Sequence, residues 1–133
     1  QSDISGVCFT VHPVTMRKRH MLIESVYGLG EAIVSGEITP DYYLYDKDYD
    51  VVLRIESKKQ IRKLSLPKSL QGILWESISV DQQNKQKLSY RQIMDLASLC
   101  KRVELYYGLP QDIEWAFWSG HFYVLQSRPI TTL

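Results

Sequence analysis

The 133-residue sequence holds only two cysteines, Cys8 and Cys100. They lie far apart and form no CxxC pair, so neither a zinc knuckle nor a thioredoxin-like motif is present. Both sit among apolar neighbours, where cysteine behaves as a small hydrophobe, and a reducing, cytoplasmic setting is the expectation. The start, Gln1-Ser2-Asp3-Ile4-Ser5, is polar and does not read as a secretory signal. No apolar run approaches ~18 residues, so no membrane-spanning helix is expected. A charge excess is also missing: 16 Lys and Arg stand against 15 Asp and Glu, net +1. That balance argues against nucleic acid or an anionic membrane as partner. The basic run Met16-Arg17-Lys18-Arg19-His20 reads as a solvated turn. The stretch from Lys58 to Lys68 offers a nucleic-acid reading that the balanced charge disfavours. None of the three histidines, His12, His20 and His121, has the Ser/Asp or Cys/Asp company of a catalytic triad. They read as structural or solvent-facing.

What is present is an ordinary globular composition, 44% hydrophobic and 23% charged, in a chain long enough to bury one core. Residues 6–12 and 21–26 are rich in β-branched, aromatic and aliphatic residues and predict two strands joined by a long loop, with Pro13 stopping the first. Gly28 and Gly30 break the second strand, and 31–35 predicts a short helix ended by Gly36. Residues 42–45 and 51–56 read as strands around a charged turn. Residues 64–87 are poorly patterned and read as surface excursions with room for a short helix. The clearest element is a helix over 90–107. Ser89 and Gln92 fit a capping box, and Ile93, Leu96, Ala97, Cys100, Val103 and Tyr107 form one apolar stripe. Gly108 suits the C-terminal cap and Pro110 blocks continuation. The last segment, 112–117 and 121–128 around Trp118-Ser119-Gly120, reads as a hairpin. The fold class is α+β, mostly antiparallel sheet with one long helix.

The last hairpin carries the chemistry. Asp112 and Glu114 alternate on its first strand, Gln126 and Arg128 on its second, and residues i and i+2 share a face. On one common face, Glu114 and the Gln126 carbonyl offer hard oxygens to Mg²⁺, and Arg128 offers a planar fork for phosphate. The competing reading is a solvated face with a cross-strand salt bridge. The turn Gly28-Leu29-Gly30 before Glu31 permits a phosphate cradle, but it is neither GxGxxG nor a Walker motif, and the structural reading of its glycines is preferred.

Four motifs, in order and spanning nearly the whole chain, resemble the ATP-binding domain of the phosphoenolpyruvate (PEP) synthase and pyruvate phosphate dikinase family. They are Ser5-Gly6-Val7-Cys8-Phe9-Thr10 with Pro13; Tyr27-Gly28-Leu29-Gly30-Glu31 with Val34-Ser35-Gly36 and Thr39-Pro40-Asp41; Pro110-Gln111-Asp112-Ile113-Glu114-Trp115; and Leu125-Gln126-Ser127-Arg128-Pro129. The resemblance implies an ATP-grasp fold, of which residues 1–133 are the C-terminal part, cut from a larger protein. It implies ATP and Mg²⁺ as ligands. Glu114 and Gln126 stand where the family contacts ATP-bound metal, and Arg128 where it holds the terminal phosphates. Asp112 and Glu31 stand at acidic positions lining the same site. It further implies that the remaining ATP-gripping residues lie upstream and that a histidine in a separate domain receives the phosphate. The ending, Gln126 to Leu133, resembles rifampicin phosphotransferase-like members more closely, so pyruvate and a rifamycin are both open as final acceptors. A binding module that kept the fold without the chemistry is the remaining alternative.

A shared Glu114/Gln126 face constrains the turn. A two-residue loop pairs Trp118 with His121 and puts Glu114 and Gln126 on opposite faces. A three-residue loop pairs Phe117 with His121 and Asp112 with Gln126, on one face. The expectation is therefore the three-residue loop, with Gly120 at positive φ.

Overall fold

The structure, a computed structural model, describes residues 3–66 and 72–130. Its centre is a six-stranded antiparallel sheet in the order β4-β3-β2-β1-β7-β8. The strands are β1 (Ile4–Phe9), β2 (His20–Tyr27), β3 (Asp41–Asp46), β4 (Val51–Glu56), β7 (Gln111–Trp118) and β8 (His121–Pro129). The first strand ends at Phe9, earlier than its composition predicts. His12 leaves the strand to cap the next turn, its Nδ1 accepting from the backbone amides of Val14 and Thr15 at 3.1 Å. The fold is α+β, as expected, and no helix among the described residues is long and apolar enough to cross a membrane.

One face of the sheet is sealed by α3 (Tyr90–Tyr107). Its start is fixed locally: Ser89 accepts from the Gln92 amide at 3.1 Å, and the Gln92 side chain accepts from the Ser89 amide at 2.8 Å. Its end is Gly108, at φ 75°. The buried stripe Ile93, Leu96, Ala97 and Cys100 meets Cys8, Ile23, Tyr43, Ile113 and Trp115. Each such aliphatic side chain contributes about 1.5–3 kcal/mol relative to exposure. Gly6 is required here, because a Cβ would overlap the Glu24 carbonyl of the neighbouring strand and the Trp115 ring. Tyr107, read from the sequence as the end of the stripe, is half exposed.

Among the described residues the opposite face is covered only at one end. There the short α1 (Glu31–Val34) packs Ala32, with Ile33 and Ile38, on Val26. The poorly patterned region holds more structure than its sequence suggests: β5 (Arg62–Ser65) and β6 (Leu74–Ser77) form a second, two-stranded sheet, followed by the one-turn α2 (Val80–Gln83). Lys68 and Pro67 lie outside the described residues. The excursion is pinned by a buried ion pair, Lys87 Nζ to Asp41 Oδ1 at 2.8 Å, with both side chains fully buried. Asp41 also accepts from the amides of Lys58 and Lys87 and from the Tyr43 hydroxyl. A buried charge is tolerable only when paired and hydrogen-bonded in this way.

Candidate functional site

Strands β7 and β8 bring the four predicted hairpin residues together. Ile113 and Trp115 are fully buried beneath α3, so by alternation Asp112 and Glu114 face the other, open side. Across the strand pair, Glu114 stands opposite Gln126 and Asp112 opposite Arg128. All four therefore share the open face.

The route to that arrangement differs from the expectation. The turn is the two-residue one, Ser119 at φ 51° and Gly120 at φ 81°, with Trp118 opposite His121. Two successive positive φ values match the hairpin twist of a type I′ turn, which a Ser-Gly pair accepts. Gly120 is at positive φ as expected, but the three-residue loop and the Asp112–Gln126 pairing are not found. Parity is restored further along. The register shifts between Glu114 and Trp115, whose partners are Gln126 and Val124, leaving Leu125 as the extra residue of a β-bulge. A bulge on an edge strand leaves no trace in hydrophobic alternation, which is why the sequence pointed to the loop instead.

Arg128 donates from Nε to Asp112 Oδ2 at 3.2 Å. The cross-strand ion pair of the competing reading therefore exists, and it lies on the same face as Glu114 and Gln126. The Arg128 side chain is 66% exposed and Asp112 20%, so the pair adds little stability. It does orient the guanidinium, with no Nη hydrogen bond among the described residues.

The open face holds further carboxylates. Glu24 on β2 and Glu114 on β7 stand opposite Val7 of β1, one on each side. Next along the row are Tyr42 and Glu56. Glu56 is neutralised by Arg54 and Lys58, and Asp112 by Arg128. Glu24 and Glu114 have no ion pair among the described residues. Burial pushes the Glu24 carboxyl above the usual carboxylate range. Sequence reading did not single out Glu24, although its place between Leu22 and Val26 in an alternating strand was a usable signal.

Glu31 opens α1 at the covered end of this face and makes no hydrogen bond or ion pair to the hairpin set among the described residues. The glycine turn before it is not a free cradle. Gly28, at φ 79°, is held under β5, where a Cβ would strike the Leu64 carbonyl, and that carbonyl accepts from the Leu29 amide at 2.9 Å. The basic run 16–20 lies on the surface, with Arg19 on Asp46 at 2.8 Å.

Chemically, the hairpin offers two adjacent oxygen donors, Glu114 and the Gln126 carbonyl, beside one fork of nitrogen donors. No group of three or more His, Cys, Asp or Glu able to hold a metal exists among the described residues. Two protein oxygens suit Mg²⁺, which keeps waters and phosphate oxygens as its other ligands, and do not suit an all-protein cage.

Comparison with known proteins bears on what those donors meet. A family model described as pyruvate phosphate dikinase, AMP/ATP-binding domain, matches residues 1–133. Over 133 residues the chain is 44% identical to a probable phosphoenolpyruvate synthase of Archaeoglobus fulgidus, covering 99% of this chain and 17% of that protein. It is 39% identical over 139 residues to phosphoenolpyruvate synthase of Pyrococcus furiosus, with the same coverage. To the rifampicin phosphotransferase of Bacillus cereus it is 37% identical over 131 residues, covering 98% of this chain and 15% of that one. The chain spans about a sixth of the length of these relatives.

Proposed function

The chain belongs to the pyruvate phosphate dikinase AMP/ATP-binding domain family, and from that premise we propose that it supplies the metal-and-phosphate side of an ATP site, as the C-terminal part of an ATP-grasp domain in a longer phosphotransferase. In this reading the parent resembles PEP synthase. It uses Mg-ATP to phosphorylate a histidine in a separate domain, releases AMP and phosphate, and passes the phosphoryl group to pyruvate. Mg²⁺ supplies charge neutralisation of the nucleotide phosphates. Glu114 and Gln126 would hold it. Arg128 grips the terminal phosphate oxygens, held in orientation by Asp112 through Nε.

The single observation carrying this proposal is the pairing of Glu114 with Gln126 and of Asp112 with Arg128 on one exposed face, in a chain whose family binds AMP or ATP. An uncompensated carboxylate beside a fork of free N–H groups is what a metal–phosphate ligand completes. A rifamycin as final acceptor is the second reading. It rests on the ending Gln126-Ser127-Arg128-Pro129-Ile130-Thr131-Thr132-Leu133, of which Thr131 to Leu133 lie outside the described residues.

The experiment is the full-length parent with ATP and each acceptor, read as AMP release. Arg128→Ala should abolish most AMP formation while leaving stability within about ±0.5 kcal/mol, as for other exposed substitutions. The lost phosphate contact is worth on the order of 2–5 kcal/mol. Arg128→Lys should also be damaging, because the planar fork is lost. Wild-type AMP release with lysine at 128 would overturn the assignment.

A further inference from the structure

A wide groove lies on the side of the sheet away from the hairpin set. It runs along the flank of α3, facing the β3–β4 turn, with a volume of about 1110 Å³. Its floor is apolar: Tyr45, Met94, Leu105, Leu109 and Pro110 line it. Tyr45 belongs to the core and Met94 packs against it, whereas Leu105 and Leu109 are exposed. The core stripe of α3 is Ile93, Leu96, Ala97 and Cys100, whereas Met94 and Leu105 lie on a neighbouring face of the helix and Leu109 just beyond its end. Leu105 is 82% exposed, so an apolar strip is left uncovered.

The rim is charged, and its charges do not cancel. Five cations and four carboxylates line the groove: Asp50 pairs with Lys101 at 2.7 Å, Glu104 with Lys47 at 2.8 Å and Asp95 with Arg91 at 3.2 Å, while Asp48 reaches Arg19, outside the lining and held by Asp46 at 2.8 Å, only at 3.9 Å. Two cations lining it, Lys18 and Arg102, have no ion-pair partner among the described residues. Lys101 also donates to the Lys47 carbonyl at 3.0 Å. This bond and the Lys47–Glu104 pair tie the β3–β4 turn to the helix, so the groove has firm walls.

We propose that this groove is the docking site for an acidic, apolar-anchored segment of the parent polypeptide, outside these 133 residues, whose carboxylates meet Lys18 and Arg102. The occupant is placed in the same polypeptide because the relatives are about six times as long as this chain. Two unpaired cations over an apolar floor select acidic residues flanking aliphatic or aromatic ones. The proposal rests on the reading of the chain as part of a longer phosphotransferase, but on none of the residues assigned to phosphate.

Cys8 and Cys100 are fully buried, so a thiol placed at Leu105→Cys, its modification located by peptide mapping, reports on the groove, with Leu109→Cys as a second reporter. Each variant is treated with a maleimide, both in the 133-residue chain and in the full-length parent. In the isolated chain the thiol should react freely. In the parent the rate should fall by about ten-fold or more, and adding Lys18→Glu and Arg102→Glu should restore most of it. Equal rates in chain and parent would overturn the proposal. So would protection in the parent that survives both charge reversals, since the occupant would then not be acidic. Protection that grows with concentration in the isolated chain would assign the groove to a second copy and equally overturn it. Magnesium-dependent ATP binding, followed on the same samples, keeps a failure of this proposal separate from a failure of the phosphate site.

Discussion

Glu24 shows what single residues contribute and conceal. Its carboxylate is half-buried on the open face without a hydrogen bond or ion pair among the described residues, and burial raises its pKa. A carboxyl with a raised folded-state pKa favours folding while protonated. That contribution is complete below its unfolded pKa of about 4.3 and is lost as pH rises through the folded value. At neutral pH the charge is therefore a cost. Glu24→Gln should raise Tm at pH 7, and the gain should vanish near pH 4. A variant that is no more stable than wild type at pH 7 would show that the burial of Glu24 carries no cost. The residue scale is also where sequence reading stopped short. Gly6 and Gly28 were recognisable as motif glycines. The reasons for them, the Trp115 ring and the Leu64 carbonyl, belong to segments about a hundred and about forty residues away. Lys87 reads as one more surface charge, and only Asp41, brought to it across the fold, accounts for its burial.

Elements were legible to the extent that local chemistry specifies them. Helix α3 runs over the residues read from the sequence, because its capping box, its stripe and its C-terminal glycine are all encoded within it. The β5–β6 sheet was not legible. All of β6 is exposed and β5 is at most partly buried, with Leu64 packed on the Val26 cluster, so no fully buried face imposes alternation. The β7–β8 pair stands between these cases: its strands were read correctly and its register was not. The bulge at Leu125 makes a specific prediction. Deleting Leu125 removes the extra residue and leaves the glutamine next in line opposite Glu114, with Val124 still opposite Trp115. The shared face should survive, seen as inter-strand NOEs between Glu114 and the glutamine, with a stability change on the order of 1 kcal/mol. Loss of those NOEs in a folded deletion variant would mean that the bulge itself, and not strand pairing, sets the face.

At the scale of the molecule, α3 packs on one side of the sheet, while among the described residues the other side is closed only where α1 and β5 lie. The four hairpin residues occupy the unclosed part. In the proposed reading, a chain that leaves this face open and covers about a sixth of its relatives' length holds only part of a ligand site. Its affinity for nucleotide should accordingly be weak, and it should not turn ATP over: AMP produced by the pure 133-residue chain would contradict this. The most direct measurement uses that weak affinity. Mn²⁺ substitutes for Mg²⁺, and its unpaired electrons broaden nearby amide signals steeply with distance. With ATP in excess over Mn²⁺ at millimolar concentration, amides of Glu114, Gln126, Arg128 and the adjoining Val7 should broaden first, while those of α3 stay sharp. Arg128→Ala should reduce the effect. Broadening centred on α3 or the β3–β4 turn, or none at any of these positions, would contradict the assignment of the hairpin face to a metal-bound nucleotide.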